Sequence, residues 1–276
     1  MLIISSTIKV HILHCGLVQV DSAVPFQQNK LNPLAFTGLF RSQKHQIVLP
    51  VSSYLIEHPK GLVLIDTSWH TDVRSDQIGY LGRMTYMVSK AFLPEGQAVH
   101  EQLLNFGIMP KDLDYVVISH MDADHAGGLK LVKEAKQILT SQIEWEAAKR
   151  SKLRYASHMW SGVNVGTFSM TNSEYGPEQQ SFDLFGDNSI VFVHTPGHSR
   201  GMVSTLVQRN GRFVLLANDT GYARKSWEEM ISPGIVVNRQ QAKESLKWVK
   251  EMSLDPNCIE VLANHDPEVH PHLIEL

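Results

Sequence analysis

A chain of 276 residues has room for one large α/β domain or two smaller ones, and 43% hydrophobic with 19% charged residues is an ordinary composition for a globular enzyme. A net charge of −3 gives no broad attraction to nucleic acid or to an anionic membrane. Cys15 and Cys258 form neither a CxxC nor a disulfide framework, no stretch is apolar enough to span a bilayer, and Met1–Leu17 lacks the layout of a signal peptide. A reducing, cytoplasmic location is therefore expected.

Residues 7–16 alternate as a first strand through Ile8, Val10 and Ile12. Residues 17–48 have weak periodicity, with Pro25, Pro33 and the polar cluster Gln27-Gln28-Asn29-Lys30. An irregular segment of that length is either disordered or functional, for example one wall of a pocket. A hairpin follows, with strands at 47–56 and 62–67 around His58-Pro59-Lys60-Gly61. Asp66 ends its second strand as a ligand, a base or a bracket between loops, the bracket being the preferred reading. Residues 70–96 carry Tyr80, Met84, Tyr86, Met87 and Phe92, more often core than a substrate-facing lid. Ala98–Phe106 reads as an amphipathic helix capped by Gly107.

The stretch Tyr115–Leu129 organises the rest. The apolar run Val116-Val117-Ile118 ends in four potential metal ligands within six positions, His120, Asp122, Asp124 and His125; Gly127 and Gly128 then lead into a helical pattern from Leu129. His120 and Asp122 are two apart and share a side of an extended backbone, whereas Asp124 and His125 diverge, which suits two neighbouring metal positions. The plain alternative is a polar loop with an aspartate near a helix N-terminus.

Further on, a helix is expected at 129–136, a strand at 137–140 and a helix at 143–152. Strands follow at 180–185, 189–194, 202–208 and 213–217, then a helix at 240–251 and a strand at 259–263. His198, Asp219 and His265 each directly follow a short apolar strand, where sheet proteins place functional loops. With no linker or low-complexity segment, residues 1–276 read as one domain of two packed sheets, helices outside and the site along the shared edge.

Five pieces in order, L-V-L-I-D-T (62–67), S-H-M-D-A-D-H-A-G-G (119–128), T-P-G-H-S (195–199), N-D-T-G-Y (218–222) and N-H-D (264–266), resemble the metallo-β-lactamase superfamily, and most closely its N-acyl-homoserine lactonase branch. The Asp219–Tyr222 pair resembles that branch in particular. The resemblance implies an α/β fold, an αβ/βα sandwich of two mixed sheets, with two divalent metals, usually zinc. One metal would be held by His120, Asp122 and His198, the other by Asp124, His125 and His265, with Asp219 bridging. It further implies that a metal-bridging hydroxide attacks an ester carbonyl. Tyr222 would hydrogen-bond the carbonyl or oxyanion, Asp124 would protonate the leaving alkoxide, and Asp66 would organise the ligands from behind.

One residue departs from the family's His-x-His-x-Asp-His pattern, Asp122 in place of the second histidine. The family histidine binds through Nδ1, as many bonds from Cα as a carboxylate oxygen, so an aspartate reaches the same metal. Asp122, Asp124, Asp219 and a hydroxide would then set four negative charges against four positive ones, where the usual set supplies three. A weaker Lewis acid follows, and the added oxygen ligand makes manganese or iron plausible beside zinc.

The expected partner is a small lactone or ester, with no nucleic acid and no membrane insertion; a homo-oligomer stays open. The apolar segments 17–48 and 80–93 offer room for an acyl chain. The alternatives are a thioesterase, phosphodiesterase or aryl-ester hydrolase on the same fold, or a degenerate member that binds metal or ligand without turnover. A glyoxalase II-like enzyme is disfavoured because little chain follows His265, a secreted β-lactamase for want of an export signal, and an RNA nuclease for want of a basic arm.

Overall fold

The computed structural model describes residues 7–28, 32 and 34–276, so Asn29, Lys30 and Pro33 of the early irregular segment lie outside the described residues. The first strands are β1 (Lys9–Asp21), β2 (Gln46–His58), β3 (Gly61–Ile65), β4 (Ser89–Phe92), β5 (Tyr115–Ile118), β6 (Gln137–Ser141) and β7 (Val165–Phe168). After them come β8 (Thr171–Asn172), β9 (Gln180–Asp183), β10 (Ile190–His194), β11 (Val203–Arg209), β12 (Arg212–Leu216), β13 (Cys258–Leu262) and β14 (Leu273–Glu275). One sheet runs β14-β1-β2-β3-β5-β6-β7, with β4 also on β1; the other runs β13-β12-β11-β10-β9-β8. Both are mixed: β3, β5, β6 and β7 pair in parallel, as do β12 and β13, and the remaining pairs are antiparallel.

The helices are α1 (Gln77–Leu81), α2 (Arg83–Val88), α3 (Val99–Leu104), α4 (Ala123–Ala126), α5 (Gln142–Arg150), α6 (Arg224–Glu228) and α7 (Arg239–Ser253). The continuous apolar runs of β3 and β5 have the composition of strands covered on both faces. Alternate residues do the covering. Ile8, Val10, Tyr54, Ile56, Val63 and Val117 meet Ile190, Phe192, Val203 and Leu216 of the other sheet. Leu13, Leu55, Leu64, Val116 and Ile118 face the other way, onto Leu103, Ala126, Leu129 and Ala148 of the outer helices and turns. Behind the second sheet, Leu246 and Val249 of α7 and Trp227 of α6 cover Val191, Leu206 and Leu215. Four layers, helix–sheet–sheet–helix, result, as the resemblance implies.

The hairpin, α3, β6, α5, β10–β13 and α7 fall within a few residues of expectation. The first strand runs on to Asp21 and β2 begins at Gln46, so strand takes up both ends of the segment expected to be irregular. The helix expected at 129–136 is a correction: α4 starts at Ala123 and passes through the two glycines into a 3-10 turn that ends at Val132. The glycines serve close approach rather than a turn. A Cβ on Gly128 would lie 2.3 Å from the Thr67 carbonyl oxygen, and Gly127 sits almost as tightly on Ser68. Among the described residues no helix is long and apolar enough to cross a membrane.

Candidate metal centre

Five strand ends carry the candidate residues at one edge of the two sheets. Asp66 follows β3; His120, Asp122, Asp124 and His125 follow β5; His198 follows β10, Asp219 follows β12 and His265 follows β13. Asp66 sits at φ +59, a left-handed conformation that aspartate tolerates better than most residues. Its carboxylate accepts from Ser119 N–H (2.7 Å) and Ser119 Oγ–H (2.8 Å), lies 2.7 Å from His125 Nδ1, and accepts from Asn264 Nδ2 at 3.2 Å. Loops from both sheets are thereby tied together, which is the bracket role preferred for Asp66.

Each histidine of the cluster has its Nδ1 occupied by a neighbour behind it. His125 Nδ1 faces Asp66, His265 Nδ1 is 2.8 Å from Pro50 O, His198 Nδ1 is 2.9 Å from Ile235 O, and His120 Nδ1 is 3.1 Å from Ser119 Oγ. A carbonyl or carboxylate there accepts a hydrogen bond from Nδ1–H and leaves the Nε2 lone pair pointing inward. The buried Nε2 atoms of His120, His125 and His265, and Oδ1 of Asp219, have no hydrogen-bond partner. Buried polar atoms without partners are rare and ask for an explanation.

Their spacing supplies one. Asp219 Oδ1 is 3.3 Å from both His125 Nε2 and His265 Nε2; Asp219 Oδ2 is 3.9 Å from His120 Nε2 and 3.6 Å from His198 Nε2. Asp124 Oδ2 stands 3.6 Å from His265 Nε2. Ligands at ~2.0–2.2 Å from a tetrahedral ion lie about 3.3–3.6 Å from one another, so the donor set fits metal ions. Two groups have donor atoms within 4.8 Å of one another: His120, His198 and Asp219, and Asp124, His125 and His265. Asp219 reaches both.

Electrostatics follow the same geometry. Burial opposes charge on Asp219, but His265 and His125 hold its carboxyl well below the usual carboxylate range. The reverse holds for the imidazoles: burial would lower His125 and His265, and Asp219, with Asp66 behind His125, raises both. Tyr222 stacks on His265 at 4.9 Å, and burial, then the Asp219 charge, push its hydroxyl well above the ordinary range, keeping it a donor.

Asp122 has a partner that sequence reasoning missed. Arg154 grips it in a fork, Nε to Oδ1 at 2.7 Å and Nη2 to Oδ2 at 2.6 Å. Burial would raise the Asp122 carboxyl, and the guanidinium outweighs it, holding the group well below the usual range. The same guanidinium donates to His198 O at 2.8 Å and reaches His198 Nε2 at 3.1 Å. Asp122 Oδ2 is 3.4 Å from His120 Nε2 and 3.0 Å from His198 Nε2. The four-against-four charge count is thus corrected, because Arg154 cancels the charge that Asp122 adds. Nothing in Arg150-Ser151-Lys152-Leu153-Arg154 sets this arginine apart from its basic neighbours.

Glu144 was missed as well. It is fully buried, accepting from Met121 N–H, Ser199 Oγ–H, Gly201 N–H and Tyr155 O–H, and so joins the His120 and His198 loops. Ser141-x-x-Glu144 has the form of a capping box; Ser141 Oγ does accept Glu144 N–H at 3.0 Å, but the carboxylate turns inward to the loops.

A cavity of about 320 Å³ opens onto the centre, ending on Asp122, Asp124, His198 and Tyr222. Its walls include Val18, Val20, Val24 and Phe36 of the 17–48 segment, and Met84 and Val88 of the segment read first as core and second as a substrate-facing lid. A larger groove of about 870 Å³, lined by Gln142, Glu146 and Arg200 among others, has Arg154 in its wall.

Comparison with known proteins gives the family and the fold. Residues 47–259 match the model of the metallo-beta-lactamase superfamily. The chain is 28% identical over 229 residues to the N-acyl homoserine lactonase AttM of Agrobacterium fabrum, covering 80% of this chain and 83% of that one. It is 27% identical over 226 residues to an N-acyl homoserine lactonase of a Bacillus species, covering 80% and 82%. A solved N-acyl homoserine lactone hydrolase, with N-hexanoyl-L-homoserine bound at its catalytic metal centre, superposes with a TM-score of 0.75 over 94% of each chain at 23% identity, a likeness of fold. By sequence and by fold the chain belongs to the metallo-beta-lactamase superfamily and is a metal-dependent hydrolase.

Proposed function

We propose that this protein opens the ester ring of N-acyl-homoserine lactones or of a closely related small lactone, an activity that would silence signals built on such lactones. The observation that carries this reading is the joining of an apolar cavity to the histidine–carboxylate centre. An acyl chain would lie along Val18, Val20, Phe36, Met84 and Val88, with the ester at the end formed by Asp122, Asp124, His198 and Tyr222. A volume near 320 Å³ is at the small end of ligand sites and suits a compact substrate. The lactonase relatives support the same choice.

Two divalent ions would be held by His120, His198 and Asp219, with Asp122 beside them, and by Asp124, His125, His265 and Asp219. Zinc is the first choice, and manganese or iron the alternatives if an Asp122 oxygen joins the ligands. When bound, such ions activate water near neutral pH and polarise an ester carbonyl. The chain's own groups do the rest. Tyr222, kept protonated by burial and by Asp219, donates to the carbonyl oxygen as negative charge develops there. Asp124, at the cavity edge, carries a proton to the departing alkoxide. The apolar walls fix the acyl chain so that the ester presents one face to the centre.

Ring opening releases an acid, so a pH-stat assay across acyl chains of increasing length tests the proposal. Turnover should rise with chain length until the cavity is filled, and Asp219→Ala should abolish it. Equal rates at all lengths together with full activity in Asp219→Ala would refute the assignment.

A further inference from the structure

The two halves of the centre differ in what the chain itself places against them. Around Asp124, His125 and His265, the inward nitrogens of both histidines and Oδ1 of Asp219 are without partners. Around His120, Asp122 and His198, His120 Nε2 is likewise without a partner, but a cation is already supplied against the other two. His198 commits its Nδ1 proton to Ile235 O, so its Nε2 is an acceptor; Asp122 Oδ2, 3.0 Å away, is another. Two acceptors at that distance repel unless a positive group lies between or beside them. Arg154 Nη2 answers both, at 2.6 Å from Asp122 Oδ2 and 3.1 Å from His198 Nε2. Its position is built: Nε completes the fork on Asp122, Nη1 holds His198 O, and the guanidinium lies over the Tyr155 ring at 5.3 Å. The groove that Arg154 lines, with Glu146 also in its wall, leaves space for the side chain to swing out.

We propose that Arg154 is a resident cation of the half-site formed by His120, Asp122 and His198, so that this half takes its metal ion second and weakly, and only as the guanidinium gives up His198 Nε2. The half formed by Asp124, His125 and His265 fills first. This rests on the metal-centre reading above and adds an order and an inequality to it. An ion entering the second half meets a charge it must displace or tolerate, and Asp122 comes to it already neutralised. The substitution of aspartate for the family's second histidine and the presence of Arg154 are then one feature, a ligand position converted into an ion pair.

Metal uptake decides the matter without reference to turnover. Metal-free full-length chain would be titrated with Zn²⁺ by calorimetry, with bound zinc counted by elemental analysis after desalting. Two steps should appear, the second at least tenfold weaker than the first. His120→Ala should remove only the weak step, and His265→Ala should weaken the tight one. Arg154→Met should tighten the second step at least tenfold and leave the first within threefold. Two indistinguishable steps in the unaltered chain would overturn the proposal whether or not the variant folds. So would a second step left unchanged or weakened in an Arg154→Met protein that keeps its first step, the result expected if the arginine merely steadies Asp122 as a ligand. Uptake of no ion at all would instead overturn the metal-centre reading itself, and the proposal with it.

Discussion

At Asp66 a carboxylate with no exposure holds a left-handed backbone and four hydrogen-bonding groups from two loops, while never facing the cavity. Its consequence is the orientation of His125: with Nδ1 fixed, only Nε2 can point inward. Asp66→Asn keeps the shape and removes the charge behind the imidazole, and metal affinity should fall by about 10–100-fold in a chelator competition. Tyr222→Phe is expected to behave differently, lowering lactone turnover by roughly 100–1000-fold with zinc content unchanged, because the hydroxyl is proposed to act on the substrate oxygen. Unchanged turnover would remove the main support for the lactonase reading. The same scale shows what a sequence carries and what it hides. His120, His125, His198, Asp219 and His265 were legible because each follows an apolar strand. Arg154 and Glu144 were not, because each reaches its target across a tertiary contact, Glu144 from a stretch that reads as solvated helix surface and Arg154 from the basic run just past it.

Among the elements, α4 and its glycines show how tightly the ligand loop is wedged. Gly128→Ala would drive a methyl group into the Thr67 carbonyl, 2.3 Å from where its Cβ must stand. A loss of about 1–3 kcal/mol in urea unfolding is expected, with weakened metal uptake, since Thr67 N–H and Oγ–H both donate to His125 O. Gly197 is in a similar position: at φ +132 it lies against the Ala242 backbone of α7, and its carbonyl accepts from Val237 and Asn238, pinning the loop that carries His198. Sequence pattern reads such glycines as turns; only the packed structure shows that they make room. A second element-level case is α3. Glu101 accepts Ala98 N–H at its start and pairs in a fork with Arg74, at 2.9 and 2.6 Å. Arg74, then the cap, lower its carboxyl to about 2 from an ordinary 4.5. A lowered folded-state value means stability that is present above 4.5 and lost as pH falls towards about 2. Glu101→Gln should therefore be less stable than the parent at pH 7, and the difference should shrink below pH 4.5, as read by urea midpoints across pH. A difference independent of pH would mean that the pair contributes no charge-dependent stability.

For the whole molecule, the two sheets and their outer helices were readable from alternation, from continuous apolar runs and from turn chemistry. The boundaries drifted where tertiary pairing extends a strand, as β1 does against β4. The short strands β4, β7, β8 and β14 were not foreseen, since two to four residues of pattern cannot outweigh their neighbours. We propose that residues 1–276 act as one domain, because the cluster centred on Tyr54 and Phe192 draws on both sheets. The centre joins those sheets at their edge, so metal should stabilise the chain as a unit. Removing it with a chelator should lower the thermal midpoint by roughly 10 °C, and zinc should restore it.

The central claim, a metal-dependent lactonase, is tested most directly by one side-by-side assay of acyl-homoserine lactones, thioesters and phosphodiesters, before chelation, after it and after zinc is returned. The best lactone should exceed both control classes at least a hundredfold in kcat/KM, chelation should abolish turnover, and zinc should restore it. A thioester or phosphodiester turned over faster than every lactone, or lactone opening that survives complete removal of metal, would contradict it.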